Sequence, residues 1–285
     1  MIDQREIIWG VLAPPVLMAI GMVATASVPV AKRFFSTGAL LALVFGISQL
    51  GFRGWPAPGG DVQNWPAWIA FAGGLITLCS ACGQGPLPWR ISARLAITGL
   101  ATWLLLGPQL QSTGAAVAWI GGVAITWTAL ILVWERAHAA SSAGVSVTAL
   151  TALAGFTSAS LLLFNCMTHA QYAGILTAAL TAALVLNWWR PTWYAAASPV
   201  TVAALVLPTL WILGQRYADL PLWAVPLLAL ATLAPLASNV GPVRTWSAWK
   251  RVAVAVVATV IVVAPVLVWG VVTSIKASSE PSYGY

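Results

Sequence analysis

From Arg94 the chain reads RLAITGLATWLLLGPQL, and from Arg251 it reads RVAVAVVATVIVVAPVL. Neither stretch carries a charge after its leading Arg. As a helix, each is long enough to cross the hydrocarbon core of a bilayer, roughly 30 Å thick. The two also align without a gap, sharing Arg94/Arg251, Ala96/Ala253, Ala101/Ala258, Thr102/Thr259, Pro108/Pro265 and Leu110/Leu267. Alanine and leucine matches come cheaply in apolar sequence, but the Arg, Thr and Pro matches do not. The pair therefore sets two constraints. The chain belongs in lipid, and part of it reads as a duplication.

Composition supports the first constraint. Hydrophobic residues make up 60% and charged residues 7% of the chain, where a soluble domain carries roughly 25% charged residues. The net charge of +7 would suggest nucleic acid for a soluble protein. Here the basic residues flank apolar runs, which is the pattern of membrane orientation, and no basic patch or recognition motif is present. Most of the 17 Trp residues also flank the runs. Trp9, Trp55, Trp65, Trp89, Trp134, Trp188, Trp189, Trp246 and Trp269 suit an interfacial belt, with the ring in lipid and the N–H near water. Trp103 and Trp127 fall inside runs and are expected to pack against other helices. Three Cys imply no disulfide framework.

Apolar runs occur at about 7–27, 37–53, 66–84, 92–110, 115–134, 144–164, 171–188, 198–214, 221–238 and 251–273. They predict an all-α, polytopic integral membrane protein of about ten transmembrane helices, because an isolated strand or loop cannot satisfy its backbone in hydrocarbon. Residues 1–285 read as a single membrane domain with a polar tail at 274–285. Ala24-Thr25-Ala26 resembles a signal-peptide cleavage site, but Asp3, Arg5 and Glu6 precede the first run where a basic cluster would stand. Pro14 and Pro15 break the hydrogen-bond ladder of that run.

Lys32, Arg33, Arg90, Arg94, Arg136, Arg190, Arg244, Lys250 and Arg251 fall on one side of this threading. Arg5, Arg53, Arg216 and Lys276 fall on the other. The positive-inside rule then puts both termini on the non-cytoplasmic side of a cell membrane, a bacterial-type inner membrane being expected.

The duplication extends upstream of the opening stretches. Trp65-Pro66-Ala67-Trp68 corresponds to Leu220-Pro221-Leu222-Trp223, and Leu50-Gly51-Phe52-Arg53 to Leu213-Gly214-Gln215-Arg216. Spans one to four (about 8–110) map onto spans seven to ten (about 171–273), with spans five and six (about 115–164) between. A step of six spans is even, so the repeats are expected to be parallel.

Candidate sites each carry two readings. Arg53 and Arg216 would be symmetry mates at the outer ends of spans two and eight, either attracting an anion or snorkelling to the interface. Thr148, Thr151, Gly155 and Ser158 recur at helical spacing on span six, as a packing stripe or as the lining of a substrate path. Cys79 and Cys82 form a C-x-x-C, spaced for a redox pair or half a metal site, yet no second Cys pair completes a metal set. His138 and His169 fall at opposite faces, which excludes joint ligation of one metal or haem. His169, beside Asn165 and Cys166, reads as part of a solvated interfacial cluster. Glu135-Arg136 ends span five. No Asp, Glu or Lys lies deep in any span, which argues against coupling through a buried carboxylate. Pro108, Pro208, Pro226, Pro235 and Pro265 lie within or near span ends and permit kinks.

No cofactor or metal set is implied. The reading favoured by internal symmetry, kinking prolines and a polar central span is a carrier or channel for a small or amphipathic solute. The alternatives are a non-catalytic scaffold or subunit of a larger membrane complex, and an intramembrane thiol-redox or lipid-modifying enzyme. The expected partners are the lipid bilayer, then a small-molecule substrate, a membrane-protein partner or a second copy of the chain.

Overall fold

The computed structural model describes residues 4–26, 30–55, 61–82, 87–107, 113–190 and 198–279. All regular structure among them is helical, with no strand. The helices are α1 (Gln4–Thr25), α2 (Val30–Arg53), α3 (Trp65–Cys82), α4 (Leu87–Leu106), α5 (Thr113–Ala139), α6 (Ala143–Leu163), α7 (Met167–Trp189), α8 (Ser198–Tyr217), α9 (Ala224–Ala231), α10 (Ala234–Ala237) and α11 (Ala248–Ser279).

The described part of each apolar run is mainly helical, but not every run is a candidate span. Among the described residues, six stretches are long and apolar enough to cross a membrane: Gln4–Thr25, Ala116–Ala139, Ala143–Leu163, Met167–Trp189, Pro199–Tyr217 and Ala248–Lys276. Within α2 the apolar part is the shorter Thr37–Arg53. The ninth run is interrupted between α9 and α10. Pro235 has no N–H to give the carbonyl of Ala231, so the chain tightens there into three-residue spacing, with Thr232 N–H on Ala229 O and Leu233 N–H on Leu230 O. A different adjustment occurs in α1. Pro14 and Pro15 cannot donate to Gly10 and Val11, and the preceding residues Ile8–Leu12 widen into a π-turn in which Ala13 N–H reaches Ile8 O.

The bundle is organised around α8, of whose apolar window 78% is buried. It touches α2, α3, α4, α5, α6, α7 and α9. α1 and α11 lie at the periphery and turn large apolar side chains outward, among them Val11, Val16 and Ile20, and Val257, Ile261 and Val268. Small residues let the inner helices approach one another. A Cβ on Gly74 of α3 would fall 2.7 Å from the Ala42 Cβ of α2, and one on Gly73 would fall 2.8 Å from Leu205 of α8. In lipid, where apolar side chains gain nothing by leaving solvent, such close backbone contact is a main source of association.

α8 carries its own flaw and its repair. Pro208 leaves the carbonyl of Ala204 without an intrahelical donor. The indole N–H of Trp127 on α5 donates to that oxygen at 2.7 Å. The sequence expectation that Trp127 packs against another helix therefore holds, and its N–H has a definite task. One turn further along α8, the Trp211 indole N–H meets the Thr157 hydroxyl of α6 at 3.2 Å.

Contacts sort the helix termini into two ends. At one end the Arg94–Glu135, Thr201–Glu135, His138–Ser146, Asn239–Arg251 and Trp188–Trp249 contacts join the starts of α4, α6, α8 and α11 to the ends of α5, α7 and α10. At the other, Trp9–Trp55, Phe52–Tyr172, Asn165–Asp219 and Trp223–Trp269 join the starts of α1, α7 and α9 to the ends of α2, α6 and α8 and to the later part of α11. The first end holds Arg90, Arg94, Arg136, Arg190, Arg244, Lys250 and Arg251, and is called the basic end below. The packing partners of the two proposed quartets differ: α2 lies along α3, whereas its proposed mate α8 only touches α9. The duplicated quartet rests on sequence register.

The Pro208–Ala204–Trp127 arrangement predicts a coupled pair of substitutions. Trp127→Phe keeps the ring but orphans a buried carbonyl, and should lower stability by about 1–3 kcal/mol. In a Pro208→Ala background the carbonyl regains an intrahelical donor, and the same substitution should cost clearly less. Thermal melting of the four proteins in one detergent measures both.

Candidate functional site

Two groups of buried polar side chains stand out, one at each end. At the basic end, Arg94 on α4 is 3% exposed. Its Nη2 donates to both carboxylate oxygens of Glu135 on α5, at 2.7 and 2.8 Å, while Nε donates to Oε1 at 3.1 Å and Nη1 to the Arg90 carbonyl at 2.9 Å. Thr201 on α8 donates its hydroxyl to Glu135 Oε1 at 2.7 Å. A turn deeper, the Thr98 and Thr128 hydroxyls bond each other at 2.8 Å, and Thr98 also reaches Ala124 O. The Arg94 and Glu135 charges offset each other, with Arg90 Nη2 at 4.0 Å from Glu135 Oε2 as a further partner. That is the condition under which a buried ion pair is tolerated. The group reads as a clamp joining α4, α5 and α8.

Sequence reasoning placed Glu135-Arg136 at the end of span five. α5 runs on to Ala139, so Glu135 sits inside its last turns. Neutralisation by Arg94 removes the reason for the helix to stop before a charge. The pairing itself was not legible, because Arg94 and Glu135 lie far apart in sequence.

At the opposite end, α6 closes on Asn165, which takes the left-handed conformation at φ 59°. Cys166 N–H then bonds Leu161 O, a six-to-one closure that Asn tolerates better than most residues. α7 begins at once, so Cys166, His169 and Tyr172 follow on one face. Cys166 Sγ lies 2.7 Å from His169 Nδ1, and burial pushes the Cys166 thiol up to about 11. The His169 ring meets Tyr172 edge-on at 5.9 Å, and Tyr172 meets Phe52 of α2 edge-on at 6.1 Å. Gln49, one turn before Phe52 on α2, faces the Tyr172 hydroxyl and donates Nε2 to the Gln63 carbonyl at 2.9 Å. Asn64 follows directly and leads into α3.

Within this group, Asn64 Oδ1 and His169 Nε2 have no hydrogen-bond partner among the described residues, and Gln49 Oε1 and Tyr172 Oη make no well-aligned one although the two side chains face each other. All four side chains are at most 3% exposed. Arg53 and Asp61 stand beside the group as an ion pair at 2.9 Å. The solvated His169 expected from sequence is thus a buried one, because the Tyr172 ring and the Cys166 thiol enclose it.

The other sequence candidates fall as follows. Arg53 pairs with Asp61, and Arg216 is exposed at the end of α8, the same end of the bundle. Thr148 and Thr151 return their hydroxyls to Gly144 O and Val147 O of their own helix. Ser158 donates to the Ala170 carbonyl of α7 at 2.7 Å, and Gly155 faces the Thr177 methyl. The polar stripe of α6 is therefore engaged along α7. Cys79 and Cys82 close α3, and their side chains lie outside the described residues. His138 and His169 stand at opposite ends. Among the described residues no group of three or more His, Cys, Asp or Glu is arranged to hold a metal.

No protein-family model, curated protein or solved structure matches this chain.

Two expectations follow. Arg94→Met removes the close partner of Glu135, leaving it the Thr201 hydroxyl and Arg90 at 4.0 Å, and should cost about 1.5–3 kcal/mol in thermal or denaturant unfolding. Arg94→Met with Glu135→Leu should recover most of that loss. In a Cys79→Ser, Cys82→Ser background, Cys166 should react slowly with iodoacetamide near neutral pH. The rate should climb about tenfold per pH unit until it levels near the thiol's raised pKa of about 11.

Proposed function

We propose that the chain is a multi-pass membrane carrier or channel that admits a small solute at the Gln49–Asn64–His169–Tyr172 group. The observation that carries this reading is the concentration of unpartnered polar atoms at one buried place. Each such atom costs roughly 1–3 kcal/mol if nothing meets it. Several together at membrane depth call for a hydrogen-bonding guest. A scaffold has no need of such a group and would do better with apolar side chains.

The crossing count of about ten and the orientation belong to this reading. What supports them is that the described part of each apolar run is mainly helical and that helix ends alternate between the two ends of the bundle. The basic end then faces the cytoplasm, the solute group lies near the outer face, and both termini are outside. The clamp of Arg94, Glu135 and Thr201 holds α8 at the inner face, away from the solute group.

Reconstituted vesicles test the proposal. The wild-type chain should raise the flux of at least one small polar solute above that of empty vesicles. Tyr172→Phe and Gln49→Leu should each reduce it at least about tenfold, the cost of one lost hydrogen bond of about 1.4 kcal/mol. Thr181→Ala, on the exposed side of α7, should leave it unchanged. Folded protein that moves no solute would favour a scaffold or subunit role.

A further inference from the structure

The unpartnered atoms of the outer group have definite donor and acceptor characters. The Gln49 amide is oriented by its bond to the Gln63 carbonyl, since only Nε2 can donate there, and this leaves Oε1 as a free acceptor. Asn64 Oδ1 is a second acceptor. The Tyr172 hydroxyl can donate. Cys166 Sγ and His169 Nδ1 lie 2.7 Å apart, a contact in which the donor depends on the imidazole tautomer, and we assign the thiol S–H as the donor. An imidazole that accepts at Nδ1 carries its proton on Nε2, so Nε2–H is a second donor. Two acceptors and, with that tautomer, two donors thus belong to a group that also holds the edge-on rings of Phe52, Tyr172 and His169.

Charge narrows the class further. Arg53 and Asp61, the charged side chains that stand beside the group, neutralise each other at 2.9 Å. No net charge is left to meet an ionic guest, and a buried ion without a counter-charge is strongly disfavoured. A guest made only of donors, such as an ammonium, would leave Tyr172 and His169 unmet. A guest made only of acceptors, such as a carboxylate, would leave Gln49 and Asn64 unmet. A neutral amide supplies both characters on one small group.

Resting on the solute-admitting reading, we infer that this group selects a small uncharged amide-type solute, its N–H groups meeting Gln49 Oε1 and Asn64 Oδ1 and its carbonyl accepting from Tyr172 and His169. The ring edges exclude water from one side of the guest. The hydrogen bonds discriminate against isosteric ions, since a site built to hydrogen-bond one group rejects an analogue that leaves its own polar atoms unpaired.

Three probes of nearly one shape isolate the charge: acetamide, acetate and acetamidinium. The full chain in lipid nanodiscs is melted under intrinsic Trp fluorescence, with each probe titrated to about 50 mM because so small a ligand binds weakly. Acetamide should raise the melting temperature along a saturating curve, and the two ions should not. Tyr172→Phe, which keeps the ring, and Gln49→Leu should each weaken the apparent acetamide affinity about tenfold. Equal or greater stabilisation by acetate or acetamidinium would overturn the inference. So would an acetamide effect that survives both substitutions, or no effect from any probe, which would mean that the group holds water only. The flux assay separates the two proposals. Acetamide binding without flux of any solute would remove the carrier and keep the selectivity. Flux of another solute that Gln49→Leu abolishes, without acetamide binding, would do the reverse.

Discussion

In hydrocarbon there is no solvent to forgive an unpaired backbone group, and the structure is arranged around that constraint. α8 is the clearest case. A helix buried against seven others contains a proline, and the carbonyl freed by Pro208 is met by the Trp127 indole from α5. An unmet carbonyl at such a depth would cost several kcal/mol. The repair also fixes α5 against α8 at one height. The charged clamp at the basic end and the Ser158–Ala170 bond between α6 and α7 work on the same principle. Most described polar groups inside the bundle are tied to another helix or to their own backbone. Apolar packing and small residues then bring the surfaces together.

Against that background, the group at the opposite end is the exception that matters. Gln49, Asn64, His169 and Tyr172 are as buried as the clamp residues, yet each keeps one polar atom unmet by the described chain. The two ends differ in kind. At the basic end, opposite charges and a threonine hydroxyl close on one another. At the other, ring edges and amide oxygens leave bonding capacity over. Other unmet atoms among the described residues lie on Trp134, His138, Asn187 and Arg251 at the basic end and on Ser48, Trp68 and Ser160 elsewhere.

Much of the fold was legible because lipid enforces a simple code. Long uncharged runs become helices, and basic residues mark their ends, so helix positions follow from Arg94, Arg190 and Arg251 almost directly. What the code does not contain is lateral arrangement. Nothing in the sequence indicates that α8 is central, since its composition resembles that of α6 or α7. The clamp depends on two residues from different hairpins. Gln49 was passed over because an amide in an apolar run looks tolerable when no neighbour is known. Thr148, Thr151 and Ser158 were legible as a stripe, but their bonding to α6 and α7 follows from which helix lies alongside. The interruption near Pro235 was foreshadowed by the proline, while its three-residue spacing was not.

The central claim is that one chain threads lipid repeatedly and presents two chemically distinct ends to opposite compartments. Single cysteines at exposed Arg190 and Arg216, in a chain whose native Cys are replaced by Ser, test it directly in bacterial cells. A membrane-impermeant maleimide should label the Arg216→Cys protein in intact cells and the Arg190→Cys protein only after permeabilisation. Equal labelling of both without permeabilisation would contradict the account.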